Sequence, residues 1–218
     1  MLLVEEYAAT QILISALRNL TNHEHRMSRI NACLLTLMLF PENPTWIEHL
    51  YLVESTKLLR ATGVALRFHM NSSTLWRLRS QLVGSSSISC QEEVEFLVSL
   101  SDFKKFNYHL FDHWCSIISG ESFLGCHVRP LLAFIRRNPT NFSPFNVLLK
   151  GIKICGLECE GLCTIFDELC SQEAVAASSA FRQFIVSLAF SFDRQMLDSC
   201  TALQPHLHRF QSDISVFS

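Results

Sequence analysis

Cysteine and histidine are the residues of this chain best suited to chemistry, with nine of each. The densest cluster is "CGLECEGLC", which holds Cys155, Cys159 and Cys163, with Cys170 following. On one helix, spacings of four would place the first three thiols on a shared face, where a soft metal ion can be held. Structural zinc sites instead use close cysteine pairs joined by a turn, plus a second distant pair. Gly156 and Gly161 interrupt the run and mark a turn and a loose helix start. The expected role is therefore that of small core or interface thiols. His109 and His113 also stand four apart, but no Glu lies between them in the His-Glu-x-x-His manner and no third ligand can be named. "NHEHR" (His23, Glu24, His25) reads as an exposed turn. No metal ligand is assigned.

Covalent catalysis finds no local support. "IISGES" carries Ser119-Gly120 without the Gly-x-Ser-x-Gly elbow or a preceding strand, and there is no Gly-rich phosphate loop. No catalytic residue is assigned. A net charge of −2 gives no global field toward nucleic acid. Lys104-Lys105 and Arg136-Arg137 are isolated basic pairs rather than a stripe. Aromatic residues beside basic ones can stack single-stranded bases, but here they occupy packing positions, so no nucleic-acid partner is expected. The apolar run "CLLTLMLF" is far shorter than the ~20 residues of a membrane span. The opening "MLLVEEYAAT" meets acid at once and has no basic n-region, so a cytoplasmic chain with reduced thiols is expected. Charged residues make up only 17% of the chain, which favours either a core-rich helical domain or apolar surface that meets a partner.

These side chains must be positioned by elements, and the elements recur. "FNYHLFDHW" (Phe106 to Trp114) could pass for a catalytic cluster on its own. Its shape returns in "NPTNFSPFNVLLKGI", "NSSTLWRLRSQLV", "PENPTWIEHLYLV" and "AASSAFRQFIVSL". The aromatic anchors are Trp46, Trp76, Phe111, Phe145 and Phe181, at spacings of 30, 35, 34 and 36 residues. Each follows small or polar residues and opens an apolar run. Before most of them lies an amphipathic segment with helical periodicity, such as "TKLLRATGVALRF" or "HVRPLLAFIRR". Pro41, Asn71, Asn138 and Pro139 stand where those first helices should stop. The expected fold is all-α, a superhelical stack of about five helical hairpins, each burying its apolar face against its neighbours. Residues 1–25 form a leading helix in this scheme, 26–192 the array and 193–218 a cap and tail. Tyr108 and Phe111 are expected to pack in one repeat's seam, with Asn107 capping its second helix.

Over about residues 26 to 192 the chain resembles the protein prenyltransferase alpha-subunit repeat family. That family's signature is Asn-Tyr-x-x-Trp-x-x-Arg, often with His before the Arg. In "NYHLFDHW" Asn107 and Tyr108 match, Phe111 takes the Trp place, His113 the His place, and Trp114 replaces Arg. In "SSTLWRLR" Trp76 and Arg79 match. In "NFSPFNVL" Asn141 matches, with Phe142 and Phe145 as aromatic stand-ins, and "ENPTWIEH" keeps Trp46. The resemblance implies a crescent that wraps a prenyltransferase beta subunit. That partner would hold zinc and most of the isoprenoid diphosphate site, and the protein substrate would be a small GTPase or SNARE. No cofactor is expected in this chain, and no complete active site. In catalytic members a lysine precedes the Asn-Tyr pair; here that residue is Phe106, and Lys105 is the nearest candidate for a diphosphate contact. A one-residue offset rotates a helical side chain by about 100°. The expected role is thus a non-catalytic, geranylgeranyltransferase-like scaffold. The alternative is a helical-repeat adaptor for protein or peptide partners, without prenyl chemistry.

Overall fold

The computed structural model describes residues 35–39, 41–42, 55–85, 88–102, 106–156, 159–192, 197–198, 200–201 and 203–210. All regular structure among them is helical. Trp46, Lys105 and the leading helix expected over residues 1–25 lie outside the described residues. The chain forms two compact units, Met1–Ser89 and Cys90–Ser218.

In the first unit, α1 (Ser55–Phe68) and α2 (Ser73–Ser85) form a helical hairpin. Leu58, Leu59, Thr62, Ala65 and Leu66 of α1 are buried at helical spacing. His69 to Ser72 make the turn, and Ser72 Oγ accepts the Leu75 N–H (3.2 Å) to satisfy an orphan donor at the start of α2. Side chains of this turn and of the first turn of α2 also reach the preceding segment. His69 Nε2 lies 2.6 Å from the Met38 carbonyl, Ser72 Oγ donates to the Pro41 carbonyl (3.2 Å), and Thr74 Oγ1 donates to Glu42 (3.1 Å).

In the second unit three hairpins follow. They are α3 (Cys90–Ser101) with α4 (Tyr108–Ser116), α5 (Val128–Arg137) with α6 (Ser143–Cys155), and α7 (Cys159–Cys170) with α8 (Ser179–Ser191). A short helix, α9 (Gln204–Arg209), packs on α8. The second helices α4, α6 and α8 lie side by side in that order, while α5 packs on α7. This is a two-layer stack of hairpins, so each apolar face is covered by the next repeat.

One local feature departs from regular repetition. The helical run that ends in α5 begins earlier than the segment "HVRPLLAFIRR", with one turn at Gly120–Ser122 and a π-helical turn at Phe123–His127. Its physical cause is Pro130. That ring cannot donate to the carbonyl four residues earlier and crowds it, which widens the preceding turn. The wide turn is closed by the Val128 N–H bonded to the Phe123 carbonyl, and it buries both Phe123 and His127.

One edge of the Phe123 ring packs against Gly151 of α6. A Cβ built there would fall 1.9 Å from Phe123 Cε2. Gly151→Ala is therefore expected to destabilise the protein by about 1–3 kcal/mol through overpacking. Thermal melting checks this, and adding Phe123→Leu to the alanine variant should recover part of the loss.

Candidate functional site

The second helices share one construction. Asn107 Oδ1 accepts the Leu110 N–H (3.3 Å), Asn141 Oδ1 accepts the Ser143 N–H (3.0 Å), and Ser178 Oγ accepts the Phe181 N–H (3.1 Å). With Ser72, which precedes α2, these polar residues fix the starts of the second helices and hence the angular position of the aromatic that follows. Trp76, Phe111, Phe145 and Phe181 are all buried. Trp76 Nε1 donates across the turn to the Met70 carbonyl (2.8 Å). Phe111 sets its ring edge against Phe134 of α5, and Phe145 touches both Phe181 and Phe184 of α8. In the second unit the anchors are thus the contacts between successive hairpins.

Tyr108 departs from expectation, for it is 70% exposed and packs beside His109 instead of in the seam. Helical phase explains this. Leu110, Phe111, His113 and Trp114 form the buried face of α4, and at about 100° per residue Tyr108 lies roughly 140° from its centre. Phe106, where the family's lysine is expected, is exposed as well.

Polar side chains stitch the hairpins at two characteristic separations. Within a hairpin, Arg79 donates to the Leu59 carbonyl (3.2 Å) and His113 Nε2 meets Glu93 Oε1 (2.9 Å), each across 20 residues. Between neighbouring hairpins the separation is about one repeat. Arg137 pairs with Asp102 over 35 residues and Arg136 with Glu168 over 32, while within the α5–α6 hairpin the Cys155 thiol reaches the Gly120 carbonyl at the start of the run that leads into α5.

Below the Phe111 anchor lies a buried polar chain. Trp114 Nε1 donates to His127 Nδ1 (3.0 Å). An indole N–H can only donate, so Nδ1 is the acceptor and the ring proton sits on Nε2. That nitrogen faces Cys90 Sγ at 3.0 Å, with Ser122 Oγ further off at 3.4 Å. Burial lowers the His127 pKa from the ordinary 6.5 to about 4, and burial is also the main cause raising the Cys90 thiol. Both groups are neutral at pH 7, and proton transfer from thiol to imidazole is strongly uphill. A reactive cysteine needs the reverse arrangement, with a stabilised thiolate. This Cys–His contact is suited to packing a polar seam, not to nucleophilic attack.

No protein-family model, no curated protein and no solved structure matches this chain. The case for a function therefore rests on its own residues.

The cysteine cluster divides between elements. Cys155 ends α6, Gly156 adopts the left-handed conformation (φ 55°) that closes that helix, and Cys163 and Cys170 belong to α7. Cys155 therefore does not share a helix face with Cys163 and Cys170. Among the described residues, no group of three or more His, Cys, Asp or Glu is arranged to hold a metal ion. No helix among them is long and apolar enough to cross a membrane. Glu93, Trp114, His127 and Cys90 form the polar interior without having stood out as a group in the sequence. One available signal was that Cys90 and His127 lie 37 residues apart, close to one repeat.

The low His127 pKa makes stability depend on pH. The unfolded chain binds this proton more tightly than the folded one. The stabilisation is complete above about pH 6.5 and is lost as pH falls toward 4, amounting to on the order of 3 kcal/mol. Urea midpoints measured from pH 7 to 4.5 should fall more steeply for the wild type than for His127→Gln. Parallel curves would refute the assignment.

Proposed function

We propose that this chain is an alpha-type subunit of a protein prenyltransferase of the geranylgeranyltransferase-like kind. It would be a superhelical stack of about five hairpins that pairs with a beta subunit and supports protein prenylation as a scaffold. The observation that carries this reading is the shared role of Arg79 and His113. They occupy the Arg and His places of the repeat signature, and each ties its second helix to the first helix of its own hairpin, 20 residues upstream. The register of Asn107 and Phe111, and of Asn141 and Phe145, supports it from the other end of the motif. The scaffold role follows from Phe106, an exposed phenyl ring where a catalytic subunit needs a cation aimed at the diphosphate. Zinc, isoprenoid diphosphate and the chemical step would then belong to the partner, and the protein substrate would be a small GTPase or SNARE.

Co-expression with a geranylgeranyltransferase beta subunit tests this, followed by size-exclusion chromatography and a prenyl-transfer assay. A one-to-one complex that transfers lipid is the expected result, with Lys105→Ala leaving transfer nearly unchanged. A complex without transfer would point to a regulator. Absence of any complex would overturn the subunit reading and leave a helical-repeat adaptor.

A further inference from the structure

The C-terminal segment of the second unit is held against the array by apolar contacts. Leu197, Leu203 and Phe210 are buried, His206 sets its ring edge on Phe181 at 5.2 Å, and Arg182 lies over the Phe210 ring. This segment caps the last hairpin, a position that repeat arrays must cover. Its start is a tight turn in which the Cys200 N–H bonds to the Leu197 carbonyl (3.1 Å) and the Leu203 N–H to the Cys200 carbonyl (3.0 Å). The turn fixes the Cys200 backbone and buries its side chain completely. Its thiol sits 2.8 Å from the thiol of Cys163, in the second turn of α7.

We propose that Cys163 and Cys200 are the site of a reversible disulfide that fastens this C-terminal cap to α7. A disulfide places its sulfurs about 2.05 Å apart, so closure needs an approach of under about 1 Å. The half-buried Cys163 is the accessible partner and the buried Cys200 the resolving one. With oxidised glutathione as oxidant, the Cys163 thiolate attacks one glutathione sulfur, and the departing glutathione thiolate takes up a proton. The Cys200 thiolate then attacks the Cys163 sulfur of the mixed disulfide and expels the second glutathione, which is protonated in turn. Two protein thiols are oxidised to one disulfide, and one glutathione disulfide is reduced to two thiols. Cys170, two turns along the same face of α7, is the competing thiol. Burial, the Asp167 charge and Cys200 push it up to about 11, so it is protonated and a poor attacker at neutral pH.

The test uses the full chain in a glutathione redox buffer, with thiols trapped by alkylation and peptides mapped without reduction. The expected result is a Cys163–Cys200 cross-link that persists in Cys170→Ser and is absent from Cys163→Ser. Amide exchange over residues 197–210 should be up to several-hundredfold slower in the oxidised wild type than in the reduced protein, since closing a loop of this length removes about that much open-state freedom. It should not change with oxidation in Cys163→Ser. That variant carries the test because its site is partly exposed, whereas Cys200→Ser alters the core. A Cys163–Cys170 cross-link, glutathione adducts alone, or unmodified thiols would each overturn the proposal.

Discussion

Phe145→Ala is expected to destabilise the protein by about 3–5 kcal/mol, measured by urea unfolding. Phe145 is fully buried in α6 and meets both Phe181 and Phe184 of the next hairpin. Truncation removes the aromatic contacts along with the buried area, and it leaves a cavity between two helices whose spacing the ring sets. Stability in such stacks is largely a sum of repeat and interface contributions. The loss should therefore fall on the α6–α8 contact, and unfolding should lose cooperativity as well as midpoint. Tyr108→Ala is the control. It removes a ring of similar size from a neighbouring motif position, but that ring is 70% exposed, so the change should stay within about 0.5 kcal/mol. Equal losses in the two variants would mean that the aromatic register does not mark the packing seam.

The contrast between these two rings shows how far the sequence could be read. Helix starts and anchors were legible because their cause is local. A side chain that caps a helix lies within three residues of the N–H it satisfies, as Asn107 and Ser178 do. A buried aromatic one turn later repeats with the helix pair, so Trp76, Phe111, Phe145 and Phe181 stand in register. Tyr108 falls outside the seam because its angle on α4, and not its place in the motif, decides its burial. The π-helical turn at Phe123–His127 had a visible cause in Pro130, but proline specifies a disturbance without specifying its form. Least legible was the polar interior. Trp114, His127 and Cys90 meet across 13 and 37 residues. Such meetings depend on which helix faces pack together, and a hydrophobic pattern does not determine that for an isolated polar side chain.

The same reasoning bears on a buried polar contact in the second unit, between Glu93 and His113. Glu93→Ala is expected to cost about 3–5 kcal/mol, because it strips a buried partner from His113. The two side chains are 2.9 Å apart and each is 1% exposed. The Arg137–Asp102 pair has a comparably short contact, 2.7 Å, but both of its side chains are 52% exposed. Water screens that pair, and Asp102→Ala should cost less than about 1 kcal/mol. Distance alone would rank the two pairs the other way, so burial is what decides. His113→Ala should lose about as much as Glu93→Ala, and the double variant should lose clearly less than the sum, since neither residue then leaves the other behind. Additive losses would show that the two side chains act independently. His113 would then have no claim to the hairpin-internal tie that it shares with Arg79, and the proposed reading of this chain as a prenyltransferase-type repeat would lose one of the two ties that carry it.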